Sequence, residues 1–225
     1  MQTIYILHPT WDIVIWMLLL LFSSSFHEVA HAWVAWKCGD STAKDMGRIS
    51  LNPMVHICPY NSLLIPAIVY FSFGFMFGGA KPVPINARRL RNPDRDMALA
   101  SAAGPLSNFF LVLIAVLVLI LYKHIFSVVS LRQAYQDSLF IRILFCGIFL
   151  NLLLAFFNLI PIPPLDGSRV VRYIFPFLRD MYDSLDTIGI FLLIAIMYAF
   201  PDFFRFVTYL ILWAWKGIAF VYKNF

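Results

Sequence analysis

Between Ile13 and Trp36 the chain runs almost without charge, and inside that run stands Phe26-His27-Glu28-Val29-Ala30-His31-Ala32. An apolar run of this length reads as a helix crossing a bilayer, because in hydrocarbon every main-chain N–H and C=O must be satisfied within the segment. Residues four apart on a helix share one face, one turn above the other. His27 and His31 are therefore spaced to grip a single Zn²⁺ with two imidazoles, the H-E-x-x-H arrangement. Glu28 beside them can act as catalytic base and take the proton of an attacking water. Ionisable residues at membrane depth are costly and mark function. Glu28 is also the only glutamate in the chain.

Composition agrees with a lipid solvent. Of 225 residues, 61% are hydrophobic and 13% charged, and the mean hydropathy is +0.80. The expected class is an all-α integral membrane protein, a bundle of about six transmembrane helices with one broken by a proline-rich unwound stretch. The alternating strands of a barrel are absent. The net charge of +5 comes from Lys and Arg in connecting segments. It reads as contact with lipid headgroups, so the bilayer is an expected partner and nucleic acid is not. Cys38, Cys58 and Cys146 form no C-x-x-C pair, so neither a disulfide framework nor a thiolate zinc site is expected. Residues 1–12 carry no Lys or Arg and do not read as a removable signal.

The expected crossings follow from the apolar runs. The first spans Trp11 to Trp36, and a connector with Gly39, Gly47, Pro53 and Pro59 follows it. A second apolar stretch runs from Tyr60 to Phe77, then a polar loop from Lys81 to Asp96. A third, Met97 to Tyr122, opens with small residues that let helices approach closely. The fourth, Leu139 to Asn158, breaks at Pro161, Pro163 and Pro164 before Asp166-Gly167, and a short helix over Ser168 to Leu178 completes it. Leu185 to Phe200 and Phe203 to Tyr222 make a final hairpin. With no repeat or soluble module visible, residues 1–225 read as a single membrane-embedded domain.

A hydrolytic zinc site needs three protein ligands and an open position. The third cannot be a second Glu, and Val34 and Lys37 stand where the longer histidine motif would place its Gly and third His. An Asp or a distant His remains. Asp166 leads, because a carboxylate after a proline-broken apolar stretch would otherwise be an unpaired charge; His56 in the connector is second. Asn108 and Asn158 are amides inside apolar stretches. They serve helix-to-helix hydrogen bonds, or else face substrate, where Asn158 would present its amide to a developing oxyanion. A polar path for water past Ser23 to Ser25, or past the Pro161 to Asp166 stretch, is expected.

Together these residues give a resemblance. The chain resembles the site-2 protease family of intramembrane zinc metalloproteases, in the short bacterial and archaeal form without a PDZ domain. The matching stretches are Phe26 to Ala32, Gly47-Arg48-Ile49-Ser50-Leu51-Asn52-Pro53, Ala80-Lys81-Pro82-Val83-Pro84-Ile85-Asn86, Gly104-Pro105-Leu106-Ser107-Asn108 and Asn158-Leu159-Ile160-Pro161-Ile162-Pro163-Pro164-Leu165-Asp166-Gly167. The chain departs from the family's H-I-D-P-x-G-T at His56-Ile57-Cys58-Pro59-Tyr60-Asn61-Ser62. The resemblance implies one Zn²⁺ on His27, His31 and Asp166, Glu28 as catalytic base, and Asn158 near the substrate carbonyl. The expected function is intramembrane endopeptidase acting in or near transmembrane segments of a protein or peptide substrate, in a multi-pass protein of a prokaryotic cell (inner) membrane. The rival is a metal transporter or sensor that uses the same ligands without hydrolysis, against which stands the absence of inverted repeats. Oligomeric state is not encoded.

Overall fold

The computed structural model describes residues 11–64, 80–126, 131–199 and 201–224, and within them regular structure is helical throughout. Helix α1 covers Trp11–Lys37, placing Lys37 in its last turn where a cation faces the negative end of the helix dipole. Gly39, at φ 113°, then reverses the chain. A Cβ there would lie 3.0 Å from the Arg89 carbonyl, so the turn also needs glycine for close approach. The connector holds a single-turn α2 (Thr42–Asp45), a 3₁₀ turn at Pro53–Val55 capped by the Asn52 side chain, and a helical turn at Pro59–Leu64.

After an extended segment and a 3₁₀ turn at Ala87–Arg89 comes α3 (Pro93–Phe126). Its start is fixed reciprocally. Pro93 fits the first helical position, Asn92 Oδ1 accepts from Arg95 N–H at 3.3 Å, and Asp96 Oδ2 accepts from Asn92 N–H at 2.8 Å. Then follow α4 (Leu131–Asp137), α5 (Leu139–Asn158), α6 (Asp166–Ile174), α7 (Arg179–Asp186), α8 (Gly189–Ala199) and α9 (Pro201–Asn224).

Three of these helices are long and apolar enough to cross a membrane: Val14–Lys37 within α1, Pro93–Phe126 and Leu139–Asn158. The expected second crossing falls mainly on residues 65–79, outside the described ones. The expected break after Asn158 is present, with Pro161 to Pro164 in turns before α6 resumes. The first arm of the expected hairpin is shorter than its apolar run, because α8 has 11 residues. At 1.5 Å per residue that is roughly 16 Å, about half a hydrocarbon core.

Helices α1, α3 and α5 pack against one another, and α3 also packs on α6. Trp16 and Leu20 meet Cys146, Leu150 and Leu154 between α1 and α5. Val112, Ile148, Leu152, Phe157, Ile160 and Leu165 fill the space between α3, α5 and the proline break. Outward, α3 shows Leu106, Phe110, Leu113, Leu117 and Leu121, all exposed at helical spacing. A stripe of that kind is a liability in water and ordinary against lipid chains, so the chain is a membrane protein by its surface as well as its composition.

Candidate metal centre

His27 and His31 are buried on α1, and their rings lie 4.5 Å apart. Asp166, the first residue of α6, turns Oδ2 toward both, 3.1 Å from His27 Nε2 and 3.2 Å from His31 Nε2. Among the described residues these three form the cluster able to hold a metal ion.

The donor set fits zinc on two counts. Tetrahedral Zn²⁺ with bonds of about 2.0–2.1 Å separates neighbouring ligand atoms by roughly 3.3 Å, close to the two distances seen. The second count is protonation. The carbonyl of Ala100 can only accept, so His31 Nδ1 donates to it at 2.7 Å and its lone pair resides on Nε2. Holding Asp166 by hydrogen bonds alone would require a second proton on each ring, two buried cations on one carboxylate, which is costly. A metal resolves this, since both Nε2 atoms and the carboxylate can then act as ligands.

For His27 the same result is reached through a relay. The Gly147 carbonyl can only accept, so Asn151 Nδ2 donates to it at 2.8 Å, and also to Ser23 Oγ at 3.0 Å. Asn151 thereby turns Oδ1 toward Asn108 and accepts from its Nδ2 at 2.8 Å. Asn108 in turn presents Oδ1 to His27 Nδ1 at 2.6 Å, which must carry the proton and leave Nε2 for the metal. One backbone oxygen on α5 sets the tautomer of a ligand on α1.

Gly104 lets α3 come close enough for all this. A Cβ there would lie 2.5 Å from both His27 Nε2 and His31 Nε2 and nearer still to His31 Cε1, inside the ligand cluster. Pro105 next to it removes the N–H that would bond the Ser101 carbonyl one turn back. Gly167 plays a similar part on the other side, where its bare Cα is pressed on the Leu159 and Ile160 carbonyls at the start of α6.

Glu28, half-buried between the histidines, accepts a hydrogen bond on Oε2 from Val83 N–H at 2.7 Å. Asn158 ends α5, with Nδ2 on the Leu154 carbonyl at 2.9 Å. Asn108 is fully buried with both ends of its amide engaged, in helix-to-helix bonds to His27 and Asn151. His56, the second candidate for a ligand, is corrected: its Nε2 is bonded to the Ser50 carbonyl at 2.8 Å, and it stands outside the cluster. The serines expected to edge a water path are buried; Ser24 and Ser25 donate to the Leu20 and Leu21 carbonyls. Sequence reasoning missed Asn151, the Ala100 carbonyl and Val83. Asn151 alone left a signal, an amide seven residues before Asn158 and so on nearly the same face of an apolar helix.

Two histidines and an aspartate, with a glutamate beside them on packed apolar helices, form a cluster that could hold one metal ion. The chain belongs to peptidase family M50, the site-2 proteases, whose sequence profile matches residues 15–200. It is 40% identical over 159 residues to "Putative zinc metalloprotease YwhC" of Bacillus subtilis (strain 168), covering 70% of this chain and 67% of that one. With "Putative zinc metalloprotease Rip2" of Mycolicibacterium smegmatis it shares 33% over 152 residues, 65% of this chain and about half (52%) of the relative. With "Putative zinc metalloprotease MJ0611" of Methanocaldococcus jannaschii it shares 28% over 169 residues, 74% and 75% of the two chains. No solved structure matches.

Proposed function

We propose that this chain is an intramembrane zinc endopeptidase that hydrolyses a peptide bond in or near a transmembrane segment of a protein substrate. It would work as one membrane-embedded domain over residues 1–225, multi-pass in a prokaryotic cell membrane. The observation that carries the reading is the convergence of His27, His31 and Asp166 beside Glu28 on a helix apolar enough to cross a bilayer. His27 lies 16 positions after Trp11, roughly 24 Å along α1, which supports chemistry at membrane depth.

His27, His31 and Asp166 hold the zinc, which when bound polarises the scissile carbonyl and acidifies the attacking water. Glu28 takes the proton of that water on Oε1, the oxygen not bonded to Val83, and later passes it to the leaving amine. Asn158 has one amide hydrogen on its own helix, and the other would serve the oxyanion. Asn108 and the Ala100 carbonyl keep the imidazoles oriented throughout. An intact substrate helix hides its carbonyls in hydrogen bonds, so the substrate must unwind at the scissile bond, and helix-breaking residues are expected there.

The test uses the zinc-loaded full chain in micelles with a quenched fluorescent peptide bearing one transmembrane segment and a central Asn-Pro break. Wild type cleaves it, and Glu28→Gln keeps its zinc while losing cleavage by about 10²–10⁴-fold. Full cleavage by Glu28→Gln would sink the mechanism. Zinc uptake into proteoliposomes without cleavage would move the chain to the metal-transport class.

A further inference from the structure

Residues 81–84 read Lys-Pro-Val-Pro, and the sequence makes them a rod. Each proline fixes its own φ and pushes the residue before it to extended backbone, so Lys81 and Val83 are both held straight. Prolines have no N–H, and Val83 therefore supplies the one main-chain donor between residues 82 and 84. That donor rests on Glu28 Oε2 at 2.7 Å.

Both ends of the rod are tied to the connector after α1. At the start, Arg48 Nη2 donates to the Lys81 carbonyl at 2.6 Å, and Lys81 N–H donates to the His56 carbonyl at 2.6 Å. At the far end, Asn86 N–H donates to Asp40 Oδ2 at 2.6 Å. Asp40, Arg48 and His56 are 1%, 7% and 1% exposed. Burying an aspartate and an arginine that form no ion pair with each other is expensive unless each is matched by well-placed hydrogen bonds. Asp40 is matched on one oxygen by Asn86 N–H of the rod and on the other by Thr42, and Arg48 reaches the rod through Nη2 while its buried Nε has no hydrogen-bond partner among the described residues.

We infer that Lys81–Asn86 is a positioning rod for the catalytic base, and that Arg48 and Asp40 act on the reaction through it. The inference rests on reading Glu28 as the base. Ordinarily a Glu side chain on a helix has three torsions to choose from; the Val83 donor fixes one oxygen and so aims the other. Arg48 and Asp40 make no hydrogen bond to any of the three proposed ligands, and are positioning residues.

Amide hydrogen exchange on the full chain in micelles reads the contact directly, because the stretch 82–84 holds a single exchangeable main-chain hydrogen. The Val83 amide is protected in wild type and in Glu28→Gln, and exchanges at least about tenfold faster in Glu28→Ala. In Arg48→Ala exchange also accelerates, zinc content stays at the wild-type level, and kcat on the quenched peptide falls at least about tenfold with KM within about twofold. Protection of Val83 that survives Glu28→Ala overturns the rod, as does faster exchange in Arg48→Ala with unchanged kcat, or a kcat loss that merely tracks zinc loss. Should Arg48→Ala fail to fold, the Glu28→Ala comparison decides. A wild-type chain that holds zinc and cleaves no peptide overturns the peptidase reading alone, and the exchange pattern is then still measured.

Discussion

The two walls of the metal centre are built from different chemistry. Behind the histidines, between α1, α3 and α5, the supporting groups are neutral: two amides, a serine and the carbonyls of Ala100 and Gly147. In front of Glu28, on the connector side, the supports include an ionised Asp40 and Arg48. The back wall lies inside the helix bundle, where an extra charge would compete with the zinc and lack hydration. Asp40, which anchors the front wall, lies beyond the last turn of α1, where an aspartate can remain charged. Burial pushes the Asp40 pKa up, but hydrogen bonds from the Thr42 hydroxyl, Asn86 N–H and Thr42 N–H, with the Arg89 charge, outweigh it and hold the carboxyl below its ordinary range. Neutral groups back His27 and His31, and charged groups hold the segment whose Val83 N–H rests on Glu28.

The largest effect should come from the centre itself. Asp166→Ala removes the ligand that faces both imidazoles, so bound zinc, measured by elemental analysis, should fall below about a tenth of wild type and cleavage should vanish. Retained stoichiometric zinc would mean the two walls do not meet at Asp166. Next comes Gly104→Ala, which tests how tightly the back wall closes. The added methyl lands among the histidine nitrogens, and metal affinity should drop by at least about 100-fold with α-helical content unchanged. Zinc affinity at the wild-type level would show that α3 can back away from the histidines without cost.

Asn151→Leu breaks the relay without touching a ligand. Titration with a competing chelator should show zinc binding weakened by about 10–100-fold. Normal affinity would show that Asn108 alone suffices. The smallest effect distinguishes the front wall by its charge. A carboxyl whose folded pKa is depressed stabilises the fold above its unfolded value, about 3.9, and that contribution is lost as pH falls through 3.9 toward the lower folded value. Asp40→Asn should therefore lower the apparent Tm by on the order of 5 °C at pH 7, with the gap to wild type closing below about pH 4. A pH-independent gap would remove the charge from the explanation.

Much of the centre is legible in the sequence because helix periodicity is a local property. Four-residue spacing alone places His27 and His31 on one face. Asp166 is legible by subtraction, since the chain has no other glutamate and the proline break brings a carboxylate back to an apolar region. The Val83 contact is not, because it joins positions 55 apart through a main-chain N–H that any residue but proline would supply. The role of His56 is equally hidden, since its side chain and its carbonyl are both used to hold the connector. Among the crossings, long uninterrupted runs such as Leu139 to Asn158 correspond to helices, whereas α8 is shorter than its apolar run because composition does not mark where a helix stops.

The relay from Gly147 to His27 has a parity. A string of amides with free ends could be inverted as a whole, every donor becoming an acceptor, and would then offer the metal the wrong nitrogen. A backbone oxygen cannot be inverted, so it selects one of the two settings for the entire string. One consequence concerns permitted change. Replacing Asn108 by the nearly isosteric Asp deletes the donor toward Asn151 and corrupts the setting. Variation at this depth must therefore preserve a sequence of donors and acceptors, which is a stricter rule than preserving size or polarity.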